Sequence, residues 1–259
     1  MLYPIKSYLR FLAKSSNQHG VHSPFVFDLV TKCFYDKRDF REYRPLEDYR
    51  NSLLKNDEII SVTDFGAGSR VFRSNERKVS DIARNAGISR KRAKLLFRIV
   101  RYFQPENILE IGTSLGLATS ALALGNASGN AISLEGCATT SAQAKKNLSE
   151  HGLENVEVKV GEFNATLGSP DIQTSIFDLI YFDGNHQKDA TLAYFEQLLP
   201  TKNNDSVWIF DDIHWSEQMS QAWKIIKKHP QVTVTIDTFQ WGFVFFRKEQ
   251  EKENFTIRA

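Results

Sequence analysis

Residues 107 to 116 read Asn-Ile-Leu-Glu-Ile-Gly-Thr-Ser-Leu-Gly. Ile108, Leu109 and Ile111 make a short apolar strand around Glu110, and Gly112 ends it. Gly116 then opens a helix of small and apolar residues over 117–124. Two glycines in a strand-to-helix turn let a ligand approach the backbone closely. Glu135 closes the next apolar run, 131–135. An acid at the end of a second strand can hold two ribose hydroxyls. Together these features suit an adenosine-containing ligand at the edge of a parallel sheet.

From Asn107 onward, strand and helix patterns alternate. Strands are predicted at 107–112, 131–135, 156–160, 177–183 and 207–212. Helices are predicted at 115–125, 138–151, 163–168, 187–199 and 215–229. Short apolar strands separated by helical patterns imply parallel βαβ units. The end of the chain differs. Runs at 232–239 and 242–247 are separated only by Gln240-Trp241, so they must pair as an antiparallel hairpin. The predicted fold class is α/β, a Rossmann-like, mostly parallel seven-stranded sheet with a C-terminal antiparallel hairpin and a helical N-terminal extension. The expected organisation is an extension over 1–75 followed by a ligand-binding domain over 76–259.

The turn Gly112-Thr113-Ser114-Leu115-Gly116 departs from the Gly-x-Gly-x-x-Gly that cradles a pyrophosphate. Leu115 is bulky, and the Glu110 carboxylate just before the turn would repel a phosphate. The same carboxylate suits an ammonium group. S-adenosylmethionine has an ammonium, a ribose and no phosphate. These residues resemble the first motif of class I S-adenosylmethionine-dependent methyltransferases. A mostly parallel sheet ending in one reversed strand is also that family's architecture, so the resemblance covers about residues 76–247.

In an open α/β sheet, ligands bind outside the carboxyl ends of the strands. The third strand ends at Gly161-Glu162-Phe163, where Glu162 and Phe163 are expected to contact the adenine. The fourth ends at Asp183-Gly184-Asn185-His186 and the fifth at Asp211-Asp212. Asp183, Asp211 and Asp212 are expected in one cleft, where carboxylates repel unless a cation neutralises them. Oxygen ligands suit Mg²⁺ better than zinc. His186 has the right chemistry to take a hydroxyl proton near neutral pH. The set resembles the metal-dependent O-methyltransferases, both the catechol type and the macrocin type. By that resemblance, Asp183, Asp211 and Asp212 are metal ligands and His186 the general base, with Asp183 also beside the cofactor. His186 stands where the catechol pattern has lysine and Asp212 where it has asparagine, which puts a catechol substrate in doubt.

Composition narrows the setting. No apolar run approaches the roughly 18 residues that cross a bilayer, and Cys33 and Cys137 are isolated. The expectation is a cytoplasmic protein with no membrane partner. Met1 to Lys14 reads as an amphipathic helix, and Ser23-Pro24 as a helix start. His19, His22 and His214 read as surface, capping or anchoring residues. Trp215, Phe239 and Trp241 are candidates for an aromatic pocket. The stretch 64–69, Asp-Phe-Gly-Ala-Gly-Ser, reads as a loop and a candidate lid over the cofactor. Net charge is +2, yet between Arg70 and Arg101 eleven Lys or Arg face only Glu76 and Asp81. A solvated helix face explains this block, and so does an anionic partner such as RNA.

The leading expectation is an S-adenosylmethionine-dependent, Mg-assisted O-methyltransferase acting on a hydroxylated small molecule. An RNA (tRNA) hydroxyl methyltransferase using the 70–101 block is the second reading. A non-catalytic S-adenosylmethionine-binding module is the third. Related enzymes often dimerise, and the extension is expected to serve the substrate pocket or a dimer contact.

Overall fold

The computed structural model describes residues 2–63 and 74–259. The glycine-rich stretch 64–69 lies outside the described residues. The chain forms two compact units, Met1–Asp36 with Pro170–Ala259, and Lys37–Ser169. The compact units thus divide the chain elsewhere than at the expected 75/76 boundary. Residues 1–36 belong with the C-terminal third because side chains and backbone tie them there. Ser16 bridges Ile257 in parallel, the Tyr35 hydroxyl donates to the Arg258 carbonyl at 2.7 Å, and Phe34 packs on Phe243.

The first unit begins with α1 (Leu2–Lys14) and α2 (Pro24–Leu29). The Ser23 hydroxyl accepts the Val26 N–H and Pro24 takes the first turn, as the sequence predicts.

The second unit carries α3 (Tyr43–Leu54), β1 (Ile59–Ser61), β2 (Glu76–Lys78), α4 (Val79–Asn85) and α5 (Arg90–Phe103). It continues through β3 (Asn107–Ile111), α6 (Leu117–Gly125), β4 (Asn130–Glu135), α7 (Ala138–Glu150), β5 (Val156–Val160) and α8 (Phe163–Leu167). β3, β4 and β5 pair in parallel with β4 in the centre. β1 and β2 form a separate antiparallel pair. α5 starts at Ser89, whose hydroxyl caps the Arg92 N–H. It buries Ala93, Leu96, Ile99 and Val100 at helical spacing. α6 packs closely on it: a Cβ at Gly125 would lie 2.5 Å from the Val100 Cβ and 3.0 Å from the Phe97 carbonyl. A larger residue at 125 would force these helices apart.

The first unit resumes with α9 (Pro170–Gln173), β6 (Leu179–Phe182), α10 (Lys188–Leu198), β7 (Val207–Asp211), α11 (Glu217–Lys228), β8 (Val234–Asp237), β9 (Trp241–Phe245) and β10 (Glu253–Thr256). β6 and β7 are parallel, β9 lies antiparallel between β7 and β8, and β10 runs parallel to β8. The expected hairpin is therefore β8–β9. The fold is α/β and mostly parallel. Among the described residues, the strands from β3 onward number one more than the seven expected, the addition being β10, and β9 is the reversed one. Every residue of β6, β7, β8 and β9 is buried, which is why β6, β9 and most of β7 read as apolar runs. Among the described residues no helix is long and apolar enough to cross a membrane.

Candidate active site

The candidate residues of the Lys37–Ser169 unit form one connected group. Gly112 and Thr113 both donate their backbone N–H to the Leu134 carbonyl, at 2.9 and 3.0 Å. The Ser114 N–H then turns to Glu135 and meets its Oε2 at 2.8 Å. The other oxygen of Glu135 accepts the Cys137 N–H at 2.9 Å. The Gly161 N–H donates to the Glu135 carbonyl at 3.0 Å. The carboxyl ends of β3, β4 and β5 are thus laced together around Glu135.

Backbone conformation marks the same edge. Gly112 has φ 105°, Ser114 48° and Gly116 78°. A Cβ at Gly116 would collide with the Tyr49 hydroxyl, which donates to the Leu115 carbonyl at 2.8 Å. Gly116 is therefore required twice, by its φ and by the tyrosine.

Glu110 and Thr113 point inward. Glu110 is fully buried. Its Oε2 accepts the Thr119 and Ser133 hydroxyls, each at 2.5 Å. Thr113 Oγ1 meets the Ser133 hydroxyl at 2.5 Å. Burial pushes the Glu110 carboxyl up to about 8; the two hydroxyl bonds oppose the rise and the nearby Glu135 charge adds to it. Among the described residues Glu110 Oε1 has no hydrogen-bond partner. An acid burdened with a free lone pair is prepared for a cationic group and poorly prepared for an anionic one. The Thr113 side chain, by contrast, is committed to the core and offers a ligand only its main chain.

Glu162 and Phe163 lie at the start of α8. Glu162 caps that helix: its Oε2 accepts the Ala165 N–H at 3.1 Å and its Oε1 the Asn164 amide at 3.0 Å. Phe163 is half-buried.

The remaining candidates belong to the other unit. Asp183 follows β6, and the His186 Nε2 lies 3.7 Å from its Oδ1. Both are half-buried. Asn185 and His186 have φ 70° and 36°. Asp211 ends β7, and its Oδ1 accepts the Asp212 N–H at 2.8 Å. Asp212 has φ 52°. Phe239, in the β8–β9 turn, has φ 73°. Non-glycine residues at positive φ are strained and gather where function needs them. Of the six in the described chain, five follow the carboxyl ends of β3, β6, β7 and β8; the sixth, Gln104, caps α5.

The three acids do not make the expected ligand set. Among the described residues no group of three or more His, Cys, Asp or Glu side chains is arranged to hold a metal ion. Asp211 turns one oxygen back onto the next N–H, and the left-handed turn at Asp212 redirects the chain. The divalent cation expected on Asp183, Asp211 and Asp212 is therefore not shown by these side chains.

Sequence reasoning missed the role of Asp237. The His214 Nε2 lies 2.9 Å from Asp237 Oδ2 and its Nδ1 3.1 Å from the Ser220 hydroxyl. Asp237 also accepts the Trp223 indole N–H at 3.3 Å and the Phe239 N–H at 2.8 Å. The His214 ring stacks on Phe239 at 5.3 Å. With both ring nitrogens engaged, His214 anchors the segment after β7 to β8. Trp241 is buried in β9, opposite Asp211, while Trp215 remains partly exposed. Phe239 lines a cavity of about 560 Å³ together with Tyr8, Phe11, Leu12, Thr238 and Arg258. Of the aromatic candidates, it is the one in that cavity wall.

Residues 109–213 match the family model described as a methyltransferase domain. That span runs from β3 to the loop after β7 and contains every candidate cofactor, catalytic and metal residue, from Glu110 to Asp212. Residues 109–213 are thus similar to a methyltransferase domain, and the chain shares the fold of solved O-methyltransferases.

Its relatives are O-methyltransferases. A catechol O-methyltransferase of Mycobacterium tuberculosis is 30% identical over 128 residues, which is 49% of this chain and 56% of that protein. The match thus spans little more than half the length of this curated relative. The O-methyltransferase TomG of Streptomyces achromogenes, solved with S-adenosylmethionine, superposes with a TM-score of 0.53 at 24% identity, over 63% of this chain and 82% of that one. The Bacillus cereus O-methyltransferase bound to S-adenosylhomocysteine gives 0.54 at 21%, over 82% and 92%.

Proposed function

We propose that this protein is an S-adenosylmethionine-dependent O-methyltransferase acting on a hydroxylated small molecule. The observation that carries the reading is the Glu135-centred edge of the methyltransferase domain. There a glycine turn, a ribose-binding type of acid and a buried acid with a free lone pair meet. In this reading Glu135 accepts the ribose hydroxyls, Glu110 faces the ammonium of the methionine moiety, and Gly112 to Gly116 let the donor approach the main chain. Glu162 and Phe163 serve the adenine.

Methyl transfer is an in-line displacement at a carbon activated by sulfonium, so alignment and deprotonation of the acceptor are the main tasks. His186 takes the acceptor proton, and Asp183 at 3.7 Å stabilises the imidazolium that results. The cavity beside Phe239 holds the acceptor; aromatic walls and the Arg258 guanidinium favour a planar, polar-substituted molecule. The acids at 183, 211 and 212 motivate a divalent cation, although no metal-holding group of side chains is formed among the described residues.

RNA is the weaker reading. Several cations of the basic block serve the protein itself: Lys94 pairs with Glu47 at 2.9 Å, Arg98 donates to the Tyr43 hydroxyl, and Arg101 covers the Phe40 ring. The test is transfer of radiolabelled methyl from S-adenosylmethionine into a cell extract split into RNA and small-molecule fractions, with and without EDTA. Label in small molecules supports the proposal, and EDTA sensitivity would restore the cation. Label confined to RNA, or donor binding with no transfer at all, would overturn it.

A further inference from the structure

Helix α1 has more apolar surface than its own unit uses. Its inner face is seated: Ser7, Phe11 and Ser15, at spacings of four, are all buried. A second apolar stripe faces outward, with Ile5 59% and Leu9 61% exposed. Singly exposed apolar residues are ordinary, but a stripe along one helix is not. The charges beside the stripe have one sign. Lys6, Arg10 and Lys14 are the only charged residues of the helix, and the first acid in the sequence is Asp28. Lys14 adds to a wider basic region, since it and Lys224 both oppose the charge on Lys227 of α11; burial is the larger influence on that ammonium, and the buried Asp237 acts the other way.

We propose that α1 is an interfacial helix that docks this protein on an anionic phospholipid surface. An outward apolar stripe flanked only by cations matches a surface that is hydrocarbon below and negative above. An RNA partner would leave Ile5 and Leu9 unused. A second copy of the chain would bring like charges together across a two-fold axis. No membrane-spanning segment is needed, because the helix lies in the interface. The proposal is independent of the methyl-transfer reading.

The test is co-sedimentation of the full chain with vesicles of phosphatidylcholine alone and of phosphatidylcholine mixed with phosphatidylglycerol. Leu9→Glu and the double variant Lys6→Glu/Arg10→Glu alter only exposed positions, and circular dichroism checks that both remain folded. Binding is expected on the mixed vesicles only, weakening with salt, and falling about tenfold or more in each variant. No binding to the mixed vesicles, or binding that Leu9→Glu leaves unchanged, overturns the proposal. So does a wild-type dimer that ignores vesicles and that Leu9→Glu dissociates, as read by light scattering.

Discussion

Ser114 donates its backbone N–H to Glu135 Oε2 at 2.8 Å, across 21 residues of chain. This bond fixes the glycine turn after β3 to the end of β4. The same carboxylate holds the Cys137 N–H at the start of α7. Glu135→Ala removes both acceptors and the proposed ribose-binding group together. S-adenosylmethionine should then bind about ten- to a hundredfold more weakly by calorimetry, the worth of one or two hydrogen bonds to a charged group. Glu135→Asp, which keeps the charge but shortens the reach, should fall between.

Glu110 predicts a pH dependence. Its carboxyl titrates near 8 in the folded protein and near 4.5 in the unfolded chain. Between these values the folded state holds a proton that the unfolded state has released. Stability therefore declines as pH rises from 4.5 to 8 and levels off above. Glu110→Gln removes the titration, so urea midpoints of the variant should flatten across this window. A cationic ligand favours the ionised form, so S-adenosylmethionine should bind the wild type more tightly at pH 8 than at pH 6. A variant whose midpoints keep the wild-type slope would assign the slope to other groups.

Gly116 and Gly152 separate two costs of a side chain. Both have positive φ, 78° and 68°. A Cβ at Gly152 meets nothing within 4 Å, whereas one at Gly116 collides with Tyr49. Gly152→Ala should lower stability by about 1 kcal/mol, the left-handed cost alone. Gly116→Ala should cost clearly more, about 2 to 4 kcal/mol, and should weaken cofactor binding. Thermal denaturation of the two variants side by side checks the difference.

Asp237 holds three donors at the end of β8: His214, Trp223 and Phe239. Asp237→Ala leaves all three without an acceptor in a buried place. The expected loss is about 3 kcal/mol or more in denaturant unfolding. Asp237→Asn keeps two acceptor lone pairs and should lose less.

His186→Ala should lower kcat by about a hundredfold to ten-thousandfold if the imidazole is the general base. Donor affinity should stay near the wild-type value. A fall in donor affinity with kcat preserved would assign His186 to binding instead.

Most of the fold could be read from the sequence because its signals are local. β3, β6 and β7 are short apolar runs, β5 alternates apolar and charged residues, and α8 starts at the Glu162 cap. β10 escaped because Glu253–Thr256 has one buried residue, Phe255, and pairs only at an edge. The site was legible as residue types and strand ends. Its carboxylate directions were not, since Asp211 accepting the Asp212 N–H and the positive φ of Asp212 depend on a turn that the sequence does not announce. The anchoring of His214 was hidden for a different reason: its partner Asp237 lies 23 residues away, in another strand. The boundary at 75/76 followed a change in pattern, whereas the compact unit follows contacts such as Ser16 with Ile257.

The most direct test of the central claim is calorimetric binding of S-adenosylmethionine to the full chain and to Glu135→Ala. The account predicts one donor per chain on the wild type and a loss of about tenfold or more in the variant. No heat of binding with the wild type, or equal affinity in the two proteins, would contradict it.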